Sequence, residues 1–290
     1  GNAAKSRFGE HLWLDITLLG RKHIEHNLRE VKEICQYFLG VDPADQWIPV
    51  RPAQHYTMGG VRTDHTGQTP ALRGLFAAGE AACWDMHGFN RLGGNSVAET
   101  VVAGMIVGEF IADFVESPEG EIDIPTAVLR EALAAERGKL DVLRKGSGSE
   151  QADTLKAEMQ QTMTDNVGIF RTGADLQRAV DKLQELLVRS RNIGLRSRRD
   201  GPNPELVTAY RVQKMIKVAL CVAQGALTRT ESRGAHFRED FPRRNDAEWL
   251  RRTLATWSDP LATLPTLNYE ALDVGRMELP PGWRGYGNKD

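Results

Sequence analysis

The chain has 290 residues, 41% of them hydrophobic and 26% charged, a globular composition with room for one large or two small domains. Its 37 basic residues against 39 acidic ones leave a net charge of −2, which argues against a nucleic-acid binder. The three cysteines, Cys35, Cys83 and Cys221, are far apart and form no CxxC pair, so they offer neither a disulfide framework nor a zinc knuckle.

The opening residues GNAAKSRFGEHLW lack the charged start and apolar core of a secretory signal. HLWLDITLLG then reads as a short strand. RKHIEHNLREVKEICQYFLG reads as a helix with Ile24, Leu28, Val31, Ile34 and Phe38 on one face, closed by Gly40 and Pro43. WIPVRP and HYTMGGVRTD look like strands, DHTGQTPALRG carries turn chemistry, and GLFAAGEA looks like a buried strand ending at Gly79–Glu80. The apolar run from Val97 to Phe114 contains Glu99, Glu109 and Asp113, so it is expected to be a buried helix of a soluble protein rather than a membrane span. Four helical segments follow at 125–144, 150–166, 174–192 and 204–229, broken by KGSGSE and RDGPNPE, as in an antiparallel bundle. LRRTLATW and LPTLNYEALDV alternate enough to be two late strands, and the tail ELPPGWRGYGNKD is expected to be irregular. The fold class is therefore α+β: mixed strands around a buried helix, a helical bundle domain, and a small extended C-terminal region.

The chemistry concentrates in HGFNRLGGNSVAETVVAGMIVGEFI, residues 87–111. Ser96 and Glu99 fit a capping box, with Asn95 as a competing cap. The amides and dipole of the helix start favour a nearby anion, and Gly93 and Gly94 let a ligand approach the backbone. Arg91, four residues before Asn95, would stand beside that site with a guanidinium suited to a carboxylate. A glycine turn before an ordinary capped core helix gives the same pattern. Glu80, at the end of an apolar strand, could hold ribose hydroxyls or simply be solvated. His55, ahead of Tyr56 and Gly59–Gly60, could donate to a substrate carboxylate or serve as a structural histidine. ESRGAHFRED crowds Glu231, Arg233, His236, Arg238, Glu239 and Asp240 into one loop, which reads as a solvated, self-paired charge cluster.

Taken in order, HYTMGGVRTD, GLFAAGEAACWDMHGFNRLGGNSVAE and RTESRGAHFREDFPRRNDAEWLRRTLATW closely resemble the flavoprotein subunit of the fumarate reductase and succinate dehydrogenase family, with CWDMHGFNRLGGNSVAE nearest the menaquinol-linked bacterial enzymes. The resemblance implies residues 1–48 as the end of a capping domain, 49–117 as the C-terminal segment of an FAD-binding domain, 118–240 as a helical domain and 241–290 as an extended C-terminal region. It implies FAD as cofactor, fumarate or succinate bound by His55 and Arg91, the FAD ribose held by Glu80, and flavin-ring contacts from Asn95, Ser96 and Val97. The family's glycine-rich dinucleotide fingerprint, flavin-linked histidine and proton-donating arginine have no match here, so the chain is expected to be the C-terminal part of a subunit about twice as long and inactive alone. The resemblance further implies an iron–sulfur subunit and a membrane-anchor subunit as partners, in a complex on the cytoplasmic face of the cell membrane. A docking role for the ESRGAHFRED loop, an L-aspartate oxidase-like flavoenzyme and a non-catalytic assembly module are the alternatives, and the role of His87 stays open.

Overall fold

The computed structural model describes residues 3–52, 55–121, 123–198 and 201–273, so the expected irregular tail lies outside the described residues. The chain forms two compact units, which divide after Thr57.

In the first unit, β1 (Ala4–Ser6), β2 (Gly9–Leu14) and β3 (Ile48–Val50) form an antiparallel sheet in that order, with Leu14 opposite Ile48. The expected single helix is instead α1 (Arg21–Asn27), α2 (Arg29–Ile34) and a wide π turn, Cys35–Leu39, closed by left-handed Gly40. The break shifts the apolar stripe. Ile24 and Cys35 are buried, whereas Ile34 and Phe38, assigned to the buried face by sequence, are exposed at 57% and 81%.

The second unit opens with β4 (Val61–Arg62), which pairs in parallel with β5 (Ala82–Cys83). Most of the strand expected from Gly74 to Glu80 is absent: Phe76 makes one bridge to Gln68, and Gly79–Ala81 is a turn of 3-10 helix. Apolar residues alone do not make a strand; each needs a neighbour for its backbone groups. The long helix α3 (Asn95–Glu116) follows. It was expected to be buried, but only Glu99, Ala103 and Val107 are, four residues apart on a single stripe, while Val97 and Met105 are 73% and 66% exposed.

The helical segments fall close to their expected limits as α4 (Thr126–Lys145), α5 (Ala152–Asn166), α6 (Gly173–Arg189) and α7 (Pro204–Thr228). Local chemistry sets two of these starts. Thr172 Oγ1 accepts the Asp175 amide, and Asn203 Oδ1 accepts the Leu206 amide with Pro204 in the first turn. The core belongs to three helices: Leu155 of α5, Leu176, Leu183 and Leu186 of α6, and Val212, Ile216 and Leu220 of α7 are fully buried. Each such side chain contributes about 1.5–3 kcal/mol through burial. α4 has no buried residue and meets this core through the partly buried Leu143, so three helices carry the core and a fourth lies on its flank. Arg189 ties α5 to α6, donating to Glu158 at 2.8 and 2.9 Å and to Glu150 at 2.9 and 3.0 Å, and holds the Glu158 carboxyl down at about 2. A short helix α8 (Asp246–Trp249) leads into an antiparallel hairpin, β6 (Arg251–Thr256) with β7 (Thr266–Ala271).

Candidate active site

The start of α3 is built differently from the expected capping box. Gly94, in the left-handed region at φ 83°, occupies the cap position, and no side chain caps the helix. Asn95 and Ser96 are therefore helical residues, not caps. The Ser96 hydroxyl is buried without a hydrogen-bond partner among the described residues, and the neighbouring Val97 is exposed. Beyond Asn95, whose amide bonds the Leu92 carbonyl, the first-turn amides keep the unsatisfied donor character of an uncapped helix.

Glu99 has turned inward. Its carboxylate, 4% exposed, accepts the Trp84 indole N–H at 3.1 Å on Oε1 and lies 3.3 Å from His87 Nε2 on Oε2. The residue read as half of a cap is the buried anchor for both ends of the segment 84–87. This gives His87 a place: it links the segment to the first turn of α3. A cavity of about 500 Å³ opens beside them, lined by Trp84, His87, Asn90, Asn95, Glu99 and apolar residues of α3.

Arg91 is half-buried and sits at the end of this segment. Its Nη1 donates to the Leu92 carbonyl at 2.7 Å, and the same carbonyl accepts the Asn95 amide at 3.2 Å. One oxygen therefore fixes the guanidinium relative to the helix start. Glu80 is exposed within the 3-10 turn rather than at a strand end. That turn packs on α3: a methyl on Gly79, at φ 67°, would come within 3.2 Å of Thr100 Oγ1 and 3.4 Å of its Cα. The second unit thus brings Glu80, Arg91, Asn95, Ser96 and Val97 around the start of one helix. His55 belongs to the first unit and is exposed there.

Sequence reasoning missed three supports of this site. Asp85 adopts a positive φ of 70° and pairs with Arg252 of the late hairpin. Arg62, at the end of β4, reaches Glu270 of β7 at 3.2 Å. Phe89 lies under the guanidinium of Arg229, 5.0 Å from its ring centre. The ESRGAHFRED loop, expected to be solvated, is so only in part: Glu231, Arg238 and His236 are 0%, 2% and 4% exposed, while Glu239 and Asp240 are exposed. Its charges are internally matched. Glu231 accepts Arg229 at 2.7 Å and Arg233 at 2.8 Å, and Arg238 binds Asp240 at 2.7 Å, which holds the Asp240 carboxyl down at about 2. An excess of both signs in one short stretch gave no hint of which charges would be matched out of water.

The family model described as fumarate reductase flavoprotein C-term matches residues 156–286, and the model described as FAD binding domain matches residues 2–97. The fumarate reductase flavoprotein subunit of Helicobacter pylori is 47% identical over 316 residues, covering 100% of this chain and 44% of that protein. The corresponding subunit of Escherichia coli K12 is 35% identical, covering 100% of this chain and 47% of its own length. Among solved structures, an E. coli quinol fumarate reductase FrdA mutant aligns with a TM-score of 0.89 at 34% identity, over 100% of this chain and 48% of that one. A quinol-fumarate reductase with menaquinol molecules aligns with a TM-score of 0.85 at 34% identity, over 97% of this chain and 48% of that one. The chain spans about half the length of the curated relatives it matches.

Proposed function

The chain belongs to the fumarate reductase flavoprotein family, and from that membership we propose that it works within an FAD-dependent enzyme interconverting fumarate and succinate. The observation that carries this reading is the arrangement at the start of α3: a guanidinium held by the Leu92 carbonyl, a helix end with no side-chain cap and a Ser96 hydroxyl without a hydrogen-bond partner among the described residues, beside a cavity. The residues present fit an anionic ring system. A Cβ added at Gly93 or Gly94 would meet nothing within 4 Å, so the backbone there is open to close approach. Ser96 and Val97 would hold the flavin ring through their amides, Asn95 would flank it, and Glu80 would take ribose hydroxyls. FAD, when bound, supplies hydride transfer to or from the four-carbon diacid.

This chain's own part is to bind and orient. Arg91 would clamp one substrate carboxylate with a planar fork already held by the Leu92 carbonyl, and His55 would donate to the other. The positive end of α3 would stabilise negative charge that grows during the reaction. We assign residues 1–48 to a capping domain, 49–117 to an FAD-binding domain, 118–240 to a helical domain and 241–290 to a C-terminal region. No helix among the described residues is long and apolar enough to cross a membrane. We assign an iron–sulfur subunit and a membrane-anchor subunit as partners, which would place the protein peripherally on the cytoplasmic face of the bacterial membrane.

The test is Arg91→Ala in the flavin-loaded enzyme. Fumarate turnover should fall by about a hundredfold or more while flavin content stays at the parent level. Parent-like turnover would remove Arg91 from the substrate site.

A further inference from the structure

Phe89 stands two residues before Arg91, and the buried charged loop at 229–238 grips it from several sides. The Ala235 amide donates to the Phe89 carbonyl at 3.3 Å. Gly234, at φ 56°, passes so close that an added methyl would come within 2.8 Å of Phe89 Cβ and 3.3 Å of its carbonyl carbon. The Arg229 guanidinium lies 5.0 Å from the ring centre, and the His236 ring lies 6.4 Å away. The contact is therefore main chain to main chain on one side and cation to ring on another.

The grip is itself immobilised by the helical domain and by the segment that leads into the late hairpin. Arg229 donates to the Trp249 carbonyl at 2.8 Å and the Arg251 carbonyl at 2.7 Å, as well as to Glu231. Arg238 Nη1 donates to the Ala226 and Leu227 carbonyls at 3.0 and 2.9 Å, which fastens the loop to the end of α7. The Asp240 carboxylate accepts the Gly173 amide at 2.8 Å, which fastens it to the start of α6. His236 Nδ1 faces Arg171 Nη1 at 2.9 Å and its Nε2 faces the Arg229 carbonyl at 3.3 Å. Stability alone does not call for so many matched charges, since an apolar cluster often serves as well. What this network adds is a rigid surface at a chosen place, and that place is beneath Phe89.

We propose that Phe89, seated on the loop formed by Arg229, Gly234 and His236, is a positioning residue that fixes Arg91 for the substrate carboxylate, making the buried charge network part of the binding machinery. This rests on the reading of Arg91 as a dicarboxylate ligand. A free backbone at 88–90 would let the guanidinium wander, and a displacement near 1 Å is enough to cost a large factor in a clamped substrate.

The experiment uses the flavin-loaded enzyme and the variants Phe89→Ala, Phe89→Leu and Gly234→Ala. Phe89→Ala and Gly234→Ala should each raise KM for fumarate by about tenfold or more, with flavin content at the parent level and kcat lowered less than KM is raised. Phe89→Leu, which keeps most of the side-chain volume, should restore KM toward the parent. A purely structural loss lowers the active fraction and hence kcat, and leaves KM where it was. An unchanged KM in both Phe89→Ala and Gly234→Ala overturns the proposal. If Phe89→Ala does not fold, Gly234→Ala decides alone, on the same criterion. Amide exchange across residues 88–92 separates this proposal from the functional reading. If the parent shows no fumarate turnover, that reading fails, while faster exchange in Gly234→Ala still supports the brace and unchanged exchange overturns it.

Discussion

Arg252 and Asp85 stand 167 residues apart in sequence and meet in a two-point ion pair, with Nε 2.6 Å from Oδ1. The pair draws β6 against the segment that carries His87 and Arg91. Arg252 Nη1 also reaches Glu270 at 2.6 Å, and Glu270 takes Arg62 of β4, so the hairpin is joined to both halves of the small parallel pair's surroundings. Asp85 raises the Arg252 guanidinium above its ordinary value, and Arg62 lowers the Glu270 carboxyl below its own. The pair also holds Asp85 at a positive φ, which costs a non-glycine residue about 1–2 kcal/mol.

Arg252→Ala should therefore reduce the unfolding free energy by about 1–3 kcal/mol, because two carboxylates lose a partly buried partner together. Chemical denaturation measures this. A change below about 0.5 kcal/mol would mean that the pair is an ordinary surface contact.

Glu99 gives a second, sharper test. Truncation to alanine leaves the Trp84 indole without its acceptor in a nearly buried place and removes the carboxylate 3.3 Å from His87 Nε2. The expected loss is about 2–3 kcal/mol. Glu99→Gln keeps an acceptor for the indole and should recover part of that loss. If glutamine and alanine cost the same, Trp84 and His87 do not depend on this side chain.

How much of this was legible in the sequence differs by element, for physical reasons. The bundle helices were readable almost to the residue because leucines at helical spacing, such as Leu176, Leu183 and Leu187, face one core. α3 was not, because its run is apolar on every side and composition does not say which stripe meets a neighbour; the buried residues include a glutamate. The Ser96–Glu99 pattern met the spacing of a capping box, yet Gly94 took the cap and tertiary donors claimed the carboxylate. Glu80, Arg91 and Asn95 to Val97 lie around one helix start, and their closeness in sequence already suggests it. Asp85, Arg62 and Phe89 were missed because their partners Arg252, Glu270 and Arg229 lie in distant parts of the chain, and contacts at such separations leave no periodic signal.

Acid should expose the brace beneath Phe89. A guanidinium can only donate, so His236 Nδ1 must accept from Arg171 and the ring proton sits on Nε2, toward the Arg229 carbonyl. Burial first, and the Arg171 charge second, push the His236 ring down from 6.5 to about 4. The folded value is below the unfolded one, so the unfolded chain takes up the proton first. The contribution is fully present above pH about 6.5 and is lost as pH falls toward about 4, by about 3 kcal/mol in all. His236→Gln should flatten the pH dependence in that window and leave the region below it, where Asp240 and Glu158 titrate, unchanged. A parent protein equally stable at pH 7 and pH 4.5 would contradict the buried neutral ring.

The last expectation concerns which helices carry the bundle. Leu183 on α6 is fully buried among α5 and α7, whereas Leu133 on α4 is 52% exposed. Leu183→Ala removes buried methyl groups and leaves a cavity, at a cost of about 2–5 kcal/mol. Leu133→Ala removes a side chain already half in water and should change stability by no more than about 0.5 kcal/mol. α4 is also held at its flank by polar contact, the Tyr210 hydroxyl donating to Glu136 at 2.6 Å, which a leucine truncation does not touch. Denaturation midpoints of the two variants, compared at equal slope, measure the contrast. Equal losses would mean that α4 shares the core and that the three-helix description of this domain is wrong; a loss confined to Leu183 places the cooperative unit in α5, α6 and α7, of which α6 and α7 anchor the grip on Phe89.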